Sequence, residues 1–267
     1  MGQLPERIVC LSAESADWLW RIGAWGNVAG VTRFFRPPAN ASAKPRVSAF
    51  STAQLDAISA LNPDLVIAFS DVQARLAEGL IRRGFPVLAT NQRTLAETAA
   101  TLSLLGRIVG REAEAERQLS VFRERLAPVT NGAVRPRVYF EEWDDPLITG
   151  IAWVGELIER AGGTVIVAGQ KEQRAASDRV VSSAQICRAD PEIILVSWCG
   201  KPAQIAAIAS RPGWADISAV RARRIYELPG ENILQPGFRL IDGFEQIKEL
   251  VRQAIHSSLQ KDAVPPG

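Results

Sequence analysis

Short apolar runs bounded by turn-forming residues alternate along this chain with stretches whose apolar positions recur every three to four residues. That alternation predicts an α/β fold in which strands and helices take turns and the sheets are parallel. Residues 7–11 (RIVCL) read as a first buried strand, followed by a loop over 12–15 and a short helix over 16–22 that stops at Gly23 and Gly26. A second strand covers 28–31. Residues 32–46 hold Pro37, Pro38 and Pro45, which forbid a regular element, and are expected to form a loop. A helix over 52–61, a strand over 63–69, a helix over 73–83 and a strand over 86–90 complete this half.

Thr94 followed by Glu97 is a capping box, and Leu95, Ala99, Leu102 and Leu105 continue from it at helical spacing. Gly106 and Gly110 interrupt, and a second helix over 112–127, roughly 24 Å long at 1.5 Å per residue, is closed by Pro128. The order of the first half then repeats. Arg137 opens a strand as Arg7 does, a glycine-terminated helix follows, 183–188 form a short helix, and Asp190-Pro191-Glu192 leads an apolar run as Asn62-Pro63-Asp64 does. A late strand over 223–228 matches 86–90. Two α/β lobes of similar plan are therefore expected, over 1–93 and 135–256, joined by a helical segment over 94–134 and trailed by a flexible tail over 257–267.

The stretch from Tyr139 to Gly163 changes character within a few residues. A strand ends near Phe140, and Glu141, Glu142, Trp143, Asp144, Asp145 and Pro146 read as an acidic, aromatic loop. Ile151, Val154, Leu157, Ile158 and Ala161 then mark a helix stopped by Gly162 and Gly163. Acidic residues before a helix also favour its N-terminus, and Asp-Pro is ordinary turn chemistry, so Asp144 and Asp145 fit that role as well as a ligand-facing one. In open α/β sheets ligands bind at the C-terminal strand ends. By that rule Glu14, Arg33, Phe34, Phe35, Arg36, Phe69, Ser70, Asp71, Gln92 and Arg93 form one candidate wall. Glu141, Glu142, Trp143, Asp144, Trp198, Cys199, Gln235, Phe238 and Arg239 form a second.

The 267 residues, 47% hydrophobic, suffice for two modest domains. A net charge of +2 excludes a dedicated nucleic-acid surface, and the lack of any apolar run of about 18 residues excludes a membrane-spanning helix. The opening MGQLPERIVCLS has neither a basic nor an apolar signal region, which predicts a cytoplasmic protein, or a periplasmic one if trimmed. Cys10, Cys187 and Cys199 are widely spaced and odd in number, so three free thiols are expected. The single histidine, His256, is assigned to the polar tail, which speaks against histidine-based catalysis.

The segments RIVCLSAESADWLWRIGAWGNVAGVT, NPDLVIAFSD, GFPVLATNQRTLAE, EEWDDPLITG and RPGWADISAVRARRIYEL, in this order and spacing, resemble the periplasmic cobalamin and iron-siderophore binding family. The resemblance covers nearly the whole chain. It implies two Rossmann-like lobes bridged by a stiff helix, the class III substrate-binding arrangement. It implies reversible capture, in the cleft between lobes, of a bulky metal complex such as a corrinoid (cobalamin-like) or a ferric siderophore. No prosthetic group, no metal site of its own and no catalysis are implied. The partner would be an ABC-type permease, the protein itself a monomer. Cleft positions carried over fall on Phe69, the Arg33–Arg36 loop, Trp143, Trp198 and the Gln235–Arg239 loop. The family's two docking acids map to Asp56 and to Ala184, so one of the two charges is absent. The residues also allow a cytoplasmic metal-centre enzyme or metallochaperone built on Glu141–Asp145 and Cys199.

Overall fold

The computed structural model describes residues 4–49, 54–130, 134–167 and 175–262. The chain forms two compact units. One comprises Met1–Glu124 with Pro236–Phe238, the other Arg125–Gln235 with Arg239–Gly267.

The first unit is a five-stranded parallel sheet built from β1 (Ile8–Cys10), β2 (Val28–Thr32), β3 (Arg46–Ser48), β4 (Leu65–Phe69) and β5 (Val87–Thr90), in the order β3-β2-β1-β4-β5. Its helices are α1 (Ala13–Arg21), α2 (Leu55–Ala60), α3 (Ala74–Arg82), α4 (Leu95–Ile108) and α5 (Glu112–Arg125). Val9, Leu11, Val47, Ile58, Val66, Ala68, Leu76 and Leu80 fill one side of the sheet. The predicted capping box at Thr94 and Glu97 is present. β3 is not among the predicted elements and starts at the last residue of the predicted loop; with one buried valine between Arg46 and Ser48 it carries almost no periodic signal. The predicted start of the second helix at Thr52 falls outside the described residues.

Strand order reverses at β1, so the loops leaving β1 and β4 open side by side at the C-terminal edge, where a doubly wound sheet has its crevice. Gln73 ties these two ends together. Its side chain accepts from the Phe69 amide at 2.8 Å and donates to the Leu11 carbonyl at 3.0 Å. The short segment Pro236–Phe238 is part of this edge. Gly237 lies so close to Glu14 that a Cβ there would stand 2.6 Å from the Glu14 Cβ, which explains the glycine. Phe238 is buried against Trp18 and Phe122, each at 5.9 Å between centroids, with the Arg21 guanidinium 4.5 Å from its ring.

In the second unit β6 (Arg137–Asp144) is central. β9 (Ile193–Val196) and then β10 (Ile225–Glu227) lie parallel to it on one side, while β8 (Thr164–Val165) and the antiparallel β7 (Leu147–Thr149) share the other. The helices are α6 (Ala152–Arg160), α7 (Ser183–Ala189), α8 (Ile205–Ala209), α9 (Ser218–Arg221), α10 (Gly230–Ile233) and α11 (Leu240–Asp262). α11 replaces most of the predicted tail and carries His256; its buried Leu240, Phe244, Ile247, Val251 and Ala254 follow helical spacing. The acidic stretch is strand rather than loop. β6 runs through Asp144 and turns at Asp145-Pro146 into β7.

The repeat seen in the sequence is realised as one device used twice. Asp64 accepts the amides of Glu6 and Arg7 at 2.7 and 3.0 Å, and the Arg7 side chain donates to the Leu61 and Asn62 carbonyls. Glu192 accepts the Arg137 amide at 3.0 Å, and the Arg137 side chain donates to the Asp190 carbonyl at 2.8 Å. Asn62 and Asp190, each before a proline, both take positive φ, 45° and 43°. Each staple registers the first strand of its unit against the strand that follows the Pro-acid pair.

A phenylalanine in the interior acts through packing. Phe238→Ala is expected to cost about 3–5 kcal/mol of stability in the first unit, as for other buried aromatics cut to alanine. Denaturant unfolding of the variant checks this, and an unchanged midpoint would contradict the packing role.

Candidate functional site

At the C-terminal edge of the first sheet the predicted residues separate into buried and exposed sets. Phe35 is buried and rests against Trp25 at 5.5 Å, while its neighbours Arg33, Phe34 and Arg36 are exposed, with Phe34 at 45%. Arg46 holds this loop by donating to the carbonyls of Arg33 and Phe35. Phe69 is buried beneath the Arg93 guanidinium at 5.4 Å, and Arg93, itself buried, reaches the exposed Asp71 at 3.3 Å. Ser70 between them sits at φ 57° and ψ −179°, a conformation costly for any residue with a side chain. Its hydroxyl accepts from the Val72 amide at 3.3 Å.

Glu14 and Gln92 lie under the Pro236–Phe238 segment and are buried, Gln92 donating to the Pro236 carbonyl at 3.3 Å. The Glu14 Oε1 and Gln92 Oε1 atoms have no hydrogen-bond partner among the described residues. Burial pushes the Glu14 carboxyl up to about 7, against the opposing pull of hydrogen bonds from its own backbone and from Ser12. These residues are part of the structure of the edge; Arg33, Phe34, Arg36 and Asp71 are what it offers to solvent. A separate surface pocket of about 570 Å³ in the same unit, lined by Arg21, Gly110, Arg111, Glu112, Glu114 and Arg117 among others, contains none of the predicted residues.

In the second unit three carboxylates of the acidic stretch, those of Glu141, Glu142 and Asp144, are each taken by a basic residue, while Asp145 is exposed at the turn. Glu141, with no exposed surface, receives Arg211 in a two-pronged pair at 2.6 and 2.9 Å, the Trp198 indole N–H at 3.0 Å and the Tyr139 hydroxyl at 3.4 Å. Burial first, and then the Glu141 charge, raise the Tyr139 phenol well above its ordinary value, so it stays a donor. Glu142 takes the buried Arg179 at 2.6 and 3.1 Å. Asp144 takes Lys201 at 2.7 Å. Burial alone would raise the Asp144 carboxyl, but the Lys201 hydrogen bond and charge hold it below the usual range.

A β-bulge explains the arrangement. Glu141 pairs with Thr149 and Trp143 with Ile148, so Glu142 is an extra residue on its strand and the side-chain alternation is reset. The expected open acidic loop therefore gives way to a strand end in which Glu141, Glu142 and Asp144 are each paired with a basic residue. Trp143 is half-buried and Trp198 is buried, and the Lys201 ammonium stands over both rings. Cys199 is exposed as a residue, yet partial burial of its thiol and then the Glu142 charge raise its pKa, opposite to what a thiolate ligand or nucleophile needs. Gln235 and Arg239 are half-buried. Among the described residues no group of three or more His, Cys, Asp or Glu is placed to hold a metal ion. Asp56 is exposed on α2 and pairs with Arg83 at 2.7 Å; Ala184 is exposed on α7.

Sequence reasoning missed Arg179, Lys201, Arg211 and Gln73. Lys201 alone had a local signal, because it follows Trp198-Cys199-Gly200 directly off a strand.

Both α/β units carry polar and aromatic groups at their C-terminal strand ends, and in the second unit Glu141, Glu142 and Asp144 are paired with basic residues. The chain matches the periplasmic binding protein family over residues 8–231, and it belongs to that family. It is thus a substrate-binding protein and not an enzyme. A relative from Halobacterium salinarum named cobalamin-binding protein is 27% identical over 262 residues, covering 90% of this chain and 69% of the relative. The periplasmic vitamin B12 binding protein of Vibrio cholerae shares the fold with a TM-score of 0.71 at 22% identity, covering 94% of this chain and 98% of that structure. A periplasmic heme binding protein of Pseudomonas aeruginosa gives 0.76 at 19% identity and 93% of each chain. The family is extracytoplasmic by name, and among the described residues no helix is long and apolar enough to cross a membrane.

Two measurements test this geometry. Glu14 has a folded pKa of about 7 against an ordinary 4.5, so the folded state holds its proton more tightly than the unfolded chain. Its contribution is complete below pH 4.5 and is lost as pH rises to about 7, by at most about 3 kcal/mol. Urea midpoints across pH 4.5–7 should show that slope, and Glu14→Gln should flatten it. All three cysteines are free. Thiol titration without reductant should count three after denaturation; a count of one would reveal a disulfide.

Proposed function

We propose that this protein captures a cobalamin-like corrinoid, or a closely related chelated metal complex, outside the cytoplasm and delivers it unaltered to an ABC-type permease. The observation that carries the reading is the family match over residues 8–231 joined to the 27% identity with a named cobalamin-binding protein across 90% of this chain. The ligand contacts in this reading are the exposed or half-exposed groups at the strand ends. They are Arg33, Phe34, Arg36 and Asp71 in the first unit, and Trp143, Asp144, Cys199, Lys201, Gln235 and Arg239 in the second. The buried Glu14, Phe35, Phe69, Ser70, Gln92, Arg93, Glu141, Trp198 and Phe238, together with Glu142, which Arg179 holds, support them from below.

Docking on the permease would rely on Asp56, with Ala184 contributing no charge where the family carries an acid. One interfacial charge fewer should slow association and relax orientation more than it weakens the final contact. The metal-centre alternative on Glu141–Asp145 and Cys199 finds little support, because Glu141, Glu142 and Asp144 are each committed to a basic partner.

Seven tryptophans make binding visible without a label. Cyanocobalamin absorbs where indole emits, so saturable quenching of intrinsic fluorescence at micromolar or lower concentration is expected. Emission unchanged by corrinoids and by ferric siderophores alike would overturn the reading.

A further inference from the structure

Lys201 leaves β9 in the run Trp198-Cys199-Gly200-Lys201, where Gly200 at φ 81° turns the chain back over the sheet end. Its ammonium lies 4.2 Å from the Trp143 ring centroid, 4.8 Å from that of Trp198 and 2.7 Å from the Asp144 Oδ1. Two indole faces and one carboxylate thus fix the end of a side chain that is normally among the most mobile. An ammonium has three N–H donors, and Asp144 takes one. The Lys201 side chain is 38% exposed, while Trp198 is 6% exposed and spends its indole N–H on Glu141. What a ligand meets at this end of β9 is a positioned cation backed by aromatic rings, not an open indole face.

We propose that Lys201 is a specificity-determining residue that donates charge-assisted hydrogen bonds to a carboxylate on the rim of the bound metal complex. The inference rests on the metal-complex reading and narrows it. Three features favour an ionised acceptor over a neutral amide. Hydrogen bonds with both partners charged are the stronger kind. Asp144 already demonstrates a carboxylate held by this ammonium at 2.7 Å. The nearby Glu141 and Glu142, which would otherwise repel an anion, are neutralised by Arg211 and Arg179. Because the side chain is already positioned, little freedom remains to be lost when the second carboxylate arrives.

Two kinds of planar metal complex bring such a rim, a porphyrin with its propionates and a corrinoid whose side chains are acids rather than amides. Hemin, cobyrinic acid and the amide-bearing cyanocobalamin separate these sources. Each is titrated into the full chain at pH 7, with the wild type, Lys201→Met and Lys201→Arg, following ligand absorbance and indole emission. The wild type is expected to bind at least one of the two acids more tightly than cyanocobalamin. Lys201→Met should weaken that acid by about tenfold or more, and by a clearly larger factor than it weakens cyanocobalamin, as loss of one charge-assisted contact implies. Lys201→Arg should retain most of the affinity, and added salt should weaken the acid more than cyanocobalamin. Equal losses for all three ligands in Lys201→Met, or no loss, would overturn the inference. So would wild-type protein that prefers cyanocobalamin to both acids, an outcome that leaves the proposed function standing. Wild-type protein that binds none of the three would remove the proposed function and this inference together. Lys201→Arg keeps the test decisive if the methionine variant fails to fold, since a purely structural lysine would show no preference among ligands in either form.

Discussion

An ionised carboxylate with no exposed surface requires a cation at hydrogen-bond distance, and in the second unit Glu141 sets that requirement. Arg211 meets it with both prongs, and Trp198 and Tyr139 supply the remaining donors. The consequences spread through the fold. Arg211 lies 4.6 Å over Trp214, which packs edge-on against Tyr139, so the ion pair is locked into the main apolar cluster of the unit. Trp198, held by its indole N–H, becomes a fixed floor for Lys201. The strand end is rigid because a buried charge leaves it few alternatives. Such a pair contributes little net stability over a well-packed apolar replacement, and its value lies in selecting one arrangement of the strand end.

The elements that were legible in the sequence share a local cause. The capping box at Thr94 needs only residues three apart. The strands around Val66 and Ile194 announce themselves by apolar runs behind Pro-acid pairs, and the repeat of that pattern reflects a real device, the Arg7–Asp64 and Arg137–Glu192 staples. α11 is absent from the sequence reading: Phe244, Ile247 and Val251 follow helical spacing, but its polar exposed face makes the end resemble a tail.

What escaped the sequence reading depends on partners far along the chain. Glu141 and Arg211 are 70 positions apart, Asp144 and Lys201 57, Glu142 and Arg179 37. No spacing rule couples them, so four adjacent acids looked like an open cluster. The bulge at Glu142 concealed them further, since strict alternation would have placed Glu141 and Trp143 on one face and Glu142 and Asp144 on the other. Gly237 gives the same lesson in reverse. A glycine in a loop suggests flexibility, yet here it marks the close approach of Pro236–Phe238 to Glu14, at a site 223 positions away in sequence (237 − 14).

Reversible binding needs groups that are positioned but not saturated, and this criterion sorts the aromatic and charged residues at both sheet edges. Glu141 has both oxygens occupied and no exposed surface, and Phe238, 9% exposed, is held between Trp18 and Phe122. Phe34 has surface, and Lys201 has donors beyond the one that Asp144 takes. A residue of the first kind changes affinity only by changing the fold, whereas one of the second kind changes affinity at constant fold. The strand ends supply both kinds side by side because the first is what holds the second still. In the proposed reading, recognition by such an edge falls to the few groups that the buried network leaves incomplete.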